Sequence, residues 1–112
     1  MRSSRTRSGL RAAQSRRVAE PVWEVRYKRS AVADVLRLDA SLRRRTRAAI
    51  EERLAADPRC GKRLSGLHER ETGRPLWGLR VGDYRVVYVF SPGELWVLVI
   101  RVGPRGGLYR EL

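Results

Sequence analysis

At 112 residues the chain holds one domain and leaves no room for a second sizeable core, since domains commonly run to about 100–150 residues. Lys and Arg number 25 against 12 Asp and Glu, a formal net charge of +13 that calls for an anionic partner, whether nucleic acid, an acidic protein or an anionic membrane surface. One cysteine and one histidine exclude an internal disulfide and a zinc site of three or four soft ligands, and the longest apolar runs, Val86 to Phe90 and Leu95 to Ile100, fall far short of the roughly 20 residues that span a bilayer. A cytoplasmic protein with no metal and no cofactor is the expectation.

Residues 1–22 carry six Arg against one Glu, several Ser and no sustained apolar stripe, the composition of a disordered basic tail. Residues 23–112 are the expected folded domain. From Trp23 the pattern alternates, with Trp23, Val25 and Tyr27 on one side and Glu24, Arg26 and Lys28 on the other, which predicts a half-buried strand. Ser30 then offers an N-cap to a short helix whose Ala31, Val32, Val35, Leu36 and Leu38 recur at helical spacing. Asp39 to Ser41 interrupts it. A second, longer helix follows with Leu42, Ala49, Ile50 and Leu54 on one side and most of its charges elsewhere, and Asp57-Pro58 ends it.

The polar, glycine-containing stretch from Arg59 to Pro75 reads as a surface loop. Three strands come after it, at Leu76 to Val81, Tyr84 to Phe90 and Leu95 to Val102, separated by Gly82-Asp83 and by Ser91 to Glu94, spacings that join antiparallel neighbours. The order β-α-α-β-β-β predicts an α+β fold, in which a two-helix hairpin covers one face of a three-stranded antiparallel meander and the other face stays open for a ligand. Trp23, Trp77 and Trp96 fall at alternating strand positions and read as core. His68 and Cys60 read as surface groups of the linker.

The turn at Gly82-Asp83 fixes a register in which Val81 faces Tyr84, Arg80 faces Arg85, Leu79 faces Val86 and Gly78 faces Val87. Two like charges directly across a pair of strands destabilise a sheet, so an external anion is the expected neutraliser. Guanidinium groups present paired donors matched to phosphate oxygens, which makes the pair a candidate phosphate clamp. Glycines after the last strand allow the chain from Arg101 to Arg110 to fold back and bring Arg105 and Tyr109 toward this pair.

The run from Leu76 to Tyr88, LWGLRVGDYRVVY, resembles the core signature of the RelE/ParE superfamily of type II toxins. Upstream, Lys62 to Leu67 is similar to that family's K-L-x-G-L segment; downstream, Arg101 to Tyr109 is similar to its closing G-H-R-x-x-x-Y element. The resemblance runs from about Val22 to Arg110. For RelE-type members it implies a metal-independent endoribonuclease that cuts mRNA in the ribosomal A site, the RNA's own 2′-hydroxyl attacking the adjacent phosphate. Arg85 and Arg105 match the phosphate-stabilising arginines, Arg80 the basic residue of the preceding strand, and Tyr109 the active-site tyrosine that stacks on a base or moves a proton. Lys62, Arg63 and Arg74, with Arg43, Arg44 and Arg47 on the second helix, are the expected RNA-binding residues. The expected partners are the ribosome, mRNA and a cognate acidic antitoxin. Gly78 stands where RelE-type nucleases often carry a second Lys or Arg, a basic group that is then absent or supplied by Arg74 or Lys62, and Pro104 stands where many relatives carry His. These departures keep open a ParE-like inhibitor that poisons DNA gyrase by binding.

Overall fold

The computed structural model describes residues 22–104, so the expected tail, apart from an exposed Val22, lies outside the described residues, as do Arg105 and Tyr109. Strand β1 (Glu24–Tyr27) starts one residue later than the alternation suggests, and its Val25 and Tyr27 turn inward while Glu24 and Arg26 pair with each other at 3.0 Å in solvent. Helix α1 (Arg29–Leu36) follows directly. Its N-cap position is Lys28, with extended backbone and no side-chain cap; Ser30, the expected cap, lies inside the first turn, where its hydroxyl donates to the Ile100 carbonyl at 2.7 Å. Asp39 caps α2 (Ala40–Ala56) by accepting from the Leu42 N–H at 2.9 Å, satisfying one of the donors that a helix start leaves orphaned. Asp57 and a short 3₁₀ turn at Pro58–Cys60 close it.

Four further strands follow, where the sequence predicts three: β2 (Lys62–His68), β3 (Pro75–Val81), β4 (Tyr84–Ser91) and β5 (Trp96–Pro104). The additional strand is β2, read from sequence as part of a loop. It is an edge strand, almost wholly exposed, whose alternation is broken by a register shift between Arg63 and His68 and by Gly66 at φ +79°, so it shows no period-2 burial for a pattern to detect. The sheet order is β1-β5-β4-β3-β2. All neighbours run antiparallel except β1, which lies parallel to β5 with Glu24 opposite Trp96 and Tyr27 opposite Val99. The predicted α+β class is the one observed.

The helices cover one face. Ala31 and Val35 of α1 and Ile50 and Leu54 of α2 are buried against Leu79, Val86, Tyr88, Val97, Val99 and Val102 of the sheet. Trp23 and Trp77 pack on this core, the former edge-on to Phe90 at 5.7 Å. Beyond the end of β1 the outer edge of β5 is left without a strand partner, and α1 supplies one: the Asp34 carboxylate accepts from the Val102 N–H at 2.9 Å and from Arg101 Nε at 2.8 Å.

The opposite face is less open than expected. Leu76, Val87, Val89 and Ile100 form a second buried cluster there, flanked by Leu64, Trp96 and Leu98, because β4 is apolar on both sides and both sides need cover. The turn after β2 reaches across this face from one edge of the sheet to the other, where the Glu69 carboxylate meets Lys28 Nζ at 3.1 Å. Arg74 holds the same turn down, donating to the Phe90 carbonyl at 3.3 Å with its guanidinium 5.4 Å from the centre of the Trp96 ring. No helix among the described residues is long and apolar enough to cross a membrane.

A candidate phosphate site on the face away from the helices

The β3–β4 hairpin has the register that Gly82-Asp83 predicts. Gly82, at φ +58°, supplies the left-handed turn residue, and Arg80 pairs with Arg85, Leu79 with Val86 and Gly78 with Val87. Leu79 and Val86 belong to the helix-covered core, so alternation puts Arg80 and Arg85 on the other face. The cross-strand row containing them continues to Gly103 on β5; the adjacent row reads Lys62, Gly78, Val87, Arg101. Lys62 is therefore the diagonal neighbour of Arg80, a separation of about 7–8 Å that a long side chain spans. No carboxylate occupies either row. Gly78 contributes no side chain, and a lysine from the next strand stands where its basic group is missing.

Arg53 of α2 joins this end of the sheet. Its guanidinium donates to the Arg80 carbonyl at 2.9 Å, at a point where β2 has not yet begun and β3 lacks an edge partner. Nothing in the sequence singles Arg53 out among the arginines of α2; its partner is a backbone atom exposed by the late start of β2.

The other expected nucleic-acid-binding residues scatter. Arg63 pairs with Trp77, hence on the helix side of β2. Arg43 stitches the α1–α2 connection by donating to the Leu38 carbonyl at 3.0 Å. Arg47 pairs with Glu51 at 3.2 Å and lies over Tyr27. Arg44 is exposed on α2, and Arg74 is engaged beside Trp96. The tyrosines among the described residues, Tyr27, Tyr84 and Tyr88, all pack on the helix side. The Tyr88 hydroxyl donates to the Pro58 carbonyl, and burial pushes its pKa up, so it takes no part in proton transfer on the arginine face. Cys60 sits 3.8 Å from the Arg53 carbonyl, and burial shifts its thiol upward, away from thiolate character.

The family model of the ParE toxin of type II toxin-antitoxin systems, parDE, matches residues 25–109, well over half of the chain. The chain belongs to the RelE/ParE superfamily of type II toxins. Solved structures share the toxin's fold. The RelBE2 toxin-antitoxin complex of Mycobacterium tuberculosis contains a chain 26% identical to it, with a TM-score of 0.62 over 74% of this chain and 91% of that one. The archaeal RelE–RelB complex of Pyrococcus horikoshii OT3 matches at 22% identity and a TM-score of 0.61, over 76% of the toxin and 97% of the matched chain. The intact E. coli RelBE complex matches at 22% identity and 0.58, over 75% and 98%. No curated protein matches the toxin.

Proposed function

We propose that this toxin is a ribosome-dependent endoribonuclease that blocks translation by cutting mRNA, and that Arg80 and Arg85, with Lys62 beside them, hold the scissile phosphate. The observation that carries the reading is the arginine pair itself: two guanidinium groups face each other across the hairpin, a lysine stands diagonally adjacent, and no acid shares their rows. In such a site the attacking 2′-oxygen forms its bond to phosphorus as the bond to the 5′-oxygen breaks. One proton leaves the 2′-hydroxyl and one reaches the departing oxygen, giving a 2′,3′-cyclic phosphate and a 5′-hydroxyl end. Guanidinium groups stay protonated, so the arginines neutralise the charge that builds on the phosphoryl oxygens rather than move protons. Arg105 is assigned to the same phosphate, and Tyr109 to base stacking or proton transfer. An acidic antitoxin that covers this basic face is the proposed partner, and the cytoplasm the proposed place of action.

A second reading, binding and poisoning of DNA gyrase, is favoured by Gly78, which puts no basic side chain on the strand that carries Arg80, and by Pro104, which stands where a His could act as acid or base. Mapping mRNA 5′ ends after induced expression separates the two. Cuts with 5′-hydroxyl ends inside translated frames are expected; intact mRNA with broken or relaxed chromosomal DNA would overturn the nuclease in favour of the inhibitor.

A further inference from the structure

The arginine pair is not the only basic feature on its face of the sheet. Under the turn that crosses this face lies a cavity of about 220 Å³ whose floor is Leu76 and Ile100 and whose walls include Lys28, His68, Glu69 and Arg70. Leu76 and Arg80 are four positions apart on β3, on the same side of the strand, so the cavity lies about 13 Å along β3 from the arginine pair at ~3.3 Å per residue. That is within reach of a nucleotide near the one being cut.

We propose that this cavity is a subsite for a second nucleotide of single-stranded RNA, distinct from the scissile one; the inference rests on the nuclease reading and extends it. Three properties of the lining fit such a ligand. The volume is smaller than the roughly 300–1,000 Å³ of a site for a drug-sized molecule, enough for one base but not for a folded RNA element. The apolar floor and the planar His68 and Arg70 side chains, both exposed, suit a base that stacks without being read for sequence. Of the cations in the lining, Lys28 is held by Glu69 at 3.1 Å and by Glu71 at 3.2 Å, and Glu69 also accepts from the Thr72 N–H at 2.7 Å. Arg101 enters bonded to Asp34, which leaves Arg70 as the cation on the solvent side best placed to meet a backbone phosphate.

The test uses 2′-O-methyl oligoribonucleotides, which lack the attacking hydroxyl and stay intact, in lengths of two and six, with affinity read by fluorescence anisotropy over a range of salt. The whole chain is expected to bind the longer oligomer about tenfold more tightly, the effect of one added stacked base. His68→Ala with Arg70→Gln, both at exposed positions, is expected to remove that gain, leave the dinucleotide affinity unchanged and lower the salt slope by about 0.7, as for one lost phosphate contact. An unchanged length dependence and slope in a double variant that melts like its parent overturns the subsite alone, because mRNA cleavage in cells still reports on the nuclease reading. Loss of the length dependence in the double variant supports the subsite, whereas intact mRNA on expression of the parent protein overturns the nuclease reading. Weakened antitoxin capture with RNA binding intact assigns the cavity to a protein and overturns the subsite.

Discussion

Arg85 lies half-buried near the start of β4, between Arg80 on β3 and Gly103 on β5. Replacing it with alanine leaves unchanged both the turn that sets the register and the apolar residues of β3 and β4 behind it. Arg85→Ala is therefore expected to melt as the parent does and to abolish growth arrest on induced expression. A well-folded variant that still arrests growth would remove Arg85 from the site. The pair is legible in sequence because a two-residue turn containing glycine leaves little freedom in the register. Lys62 is legible only as a basic group able to stand in at Gly78, since the strand that carries it is not announced, and Arg53 is not legible, since it answers to a main-chain carbonyl rather than to a side chain.

Among the elements, β2 is the one that sequence patterning misreads most, and the turn that follows it holds the most buried carboxylate of its face. Glu69 is 4% exposed. Burial pushes its carboxyl up, but the donors gathered on it outweigh that effect: the hydroxyl and backbone N–H of Thr72, the backbone N–H of Glu71 and the Lys28 ammonium hold it down at about 2, from an ordinary 4.5. A group depressed in the folded state contributes stability that is complete above its unfolded value and is lost as pH falls through its folded one. Urea unfolding is thus expected to show the parent more stable than Glu69→Gln at neutral pH, with the difference closing between about pH 4.5 and pH 2. A gap independent of pH would show that the ionised carboxylate does not fasten the turn. No polar run of this kind reveals from sequence which of its acids is buried, because that depends on Lys28, forty-one positions earlier. The helix hairpin, by contrast, is legible from Asp39 and the apolar spacing of Ile50 and Leu54.

For the molecule as a whole, the charge divides by place. Residues 1–22 carry six Arg against one Glu and no sustained apolar stripe, so we propose that the part from Val22 onward folds without the basic segment before it. A chain that starts at Val22 is expected to keep the parent's cooperative melt and its growth arrest; loss of cooperativity would assign residues 1–21 to the fold. The α+β class follows from element order alone, whereas the sheet's closure does not, because β1 could have joined either edge. It joins β5 in parallel, each residue pairing with one about seventy positions later. That pairing sets a clock on biosynthesis. On a translating ribosome β1 has no strand to meet until β5 has been made, so the sheet that backs Arg80 and Arg85 is completed only once β5 has emerged, by the slowest kind of contact, one of long sequence separation. Between the emergence of Arg85 and that of β5, the sheet behind the arginine pair therefore lacks two of its five strands.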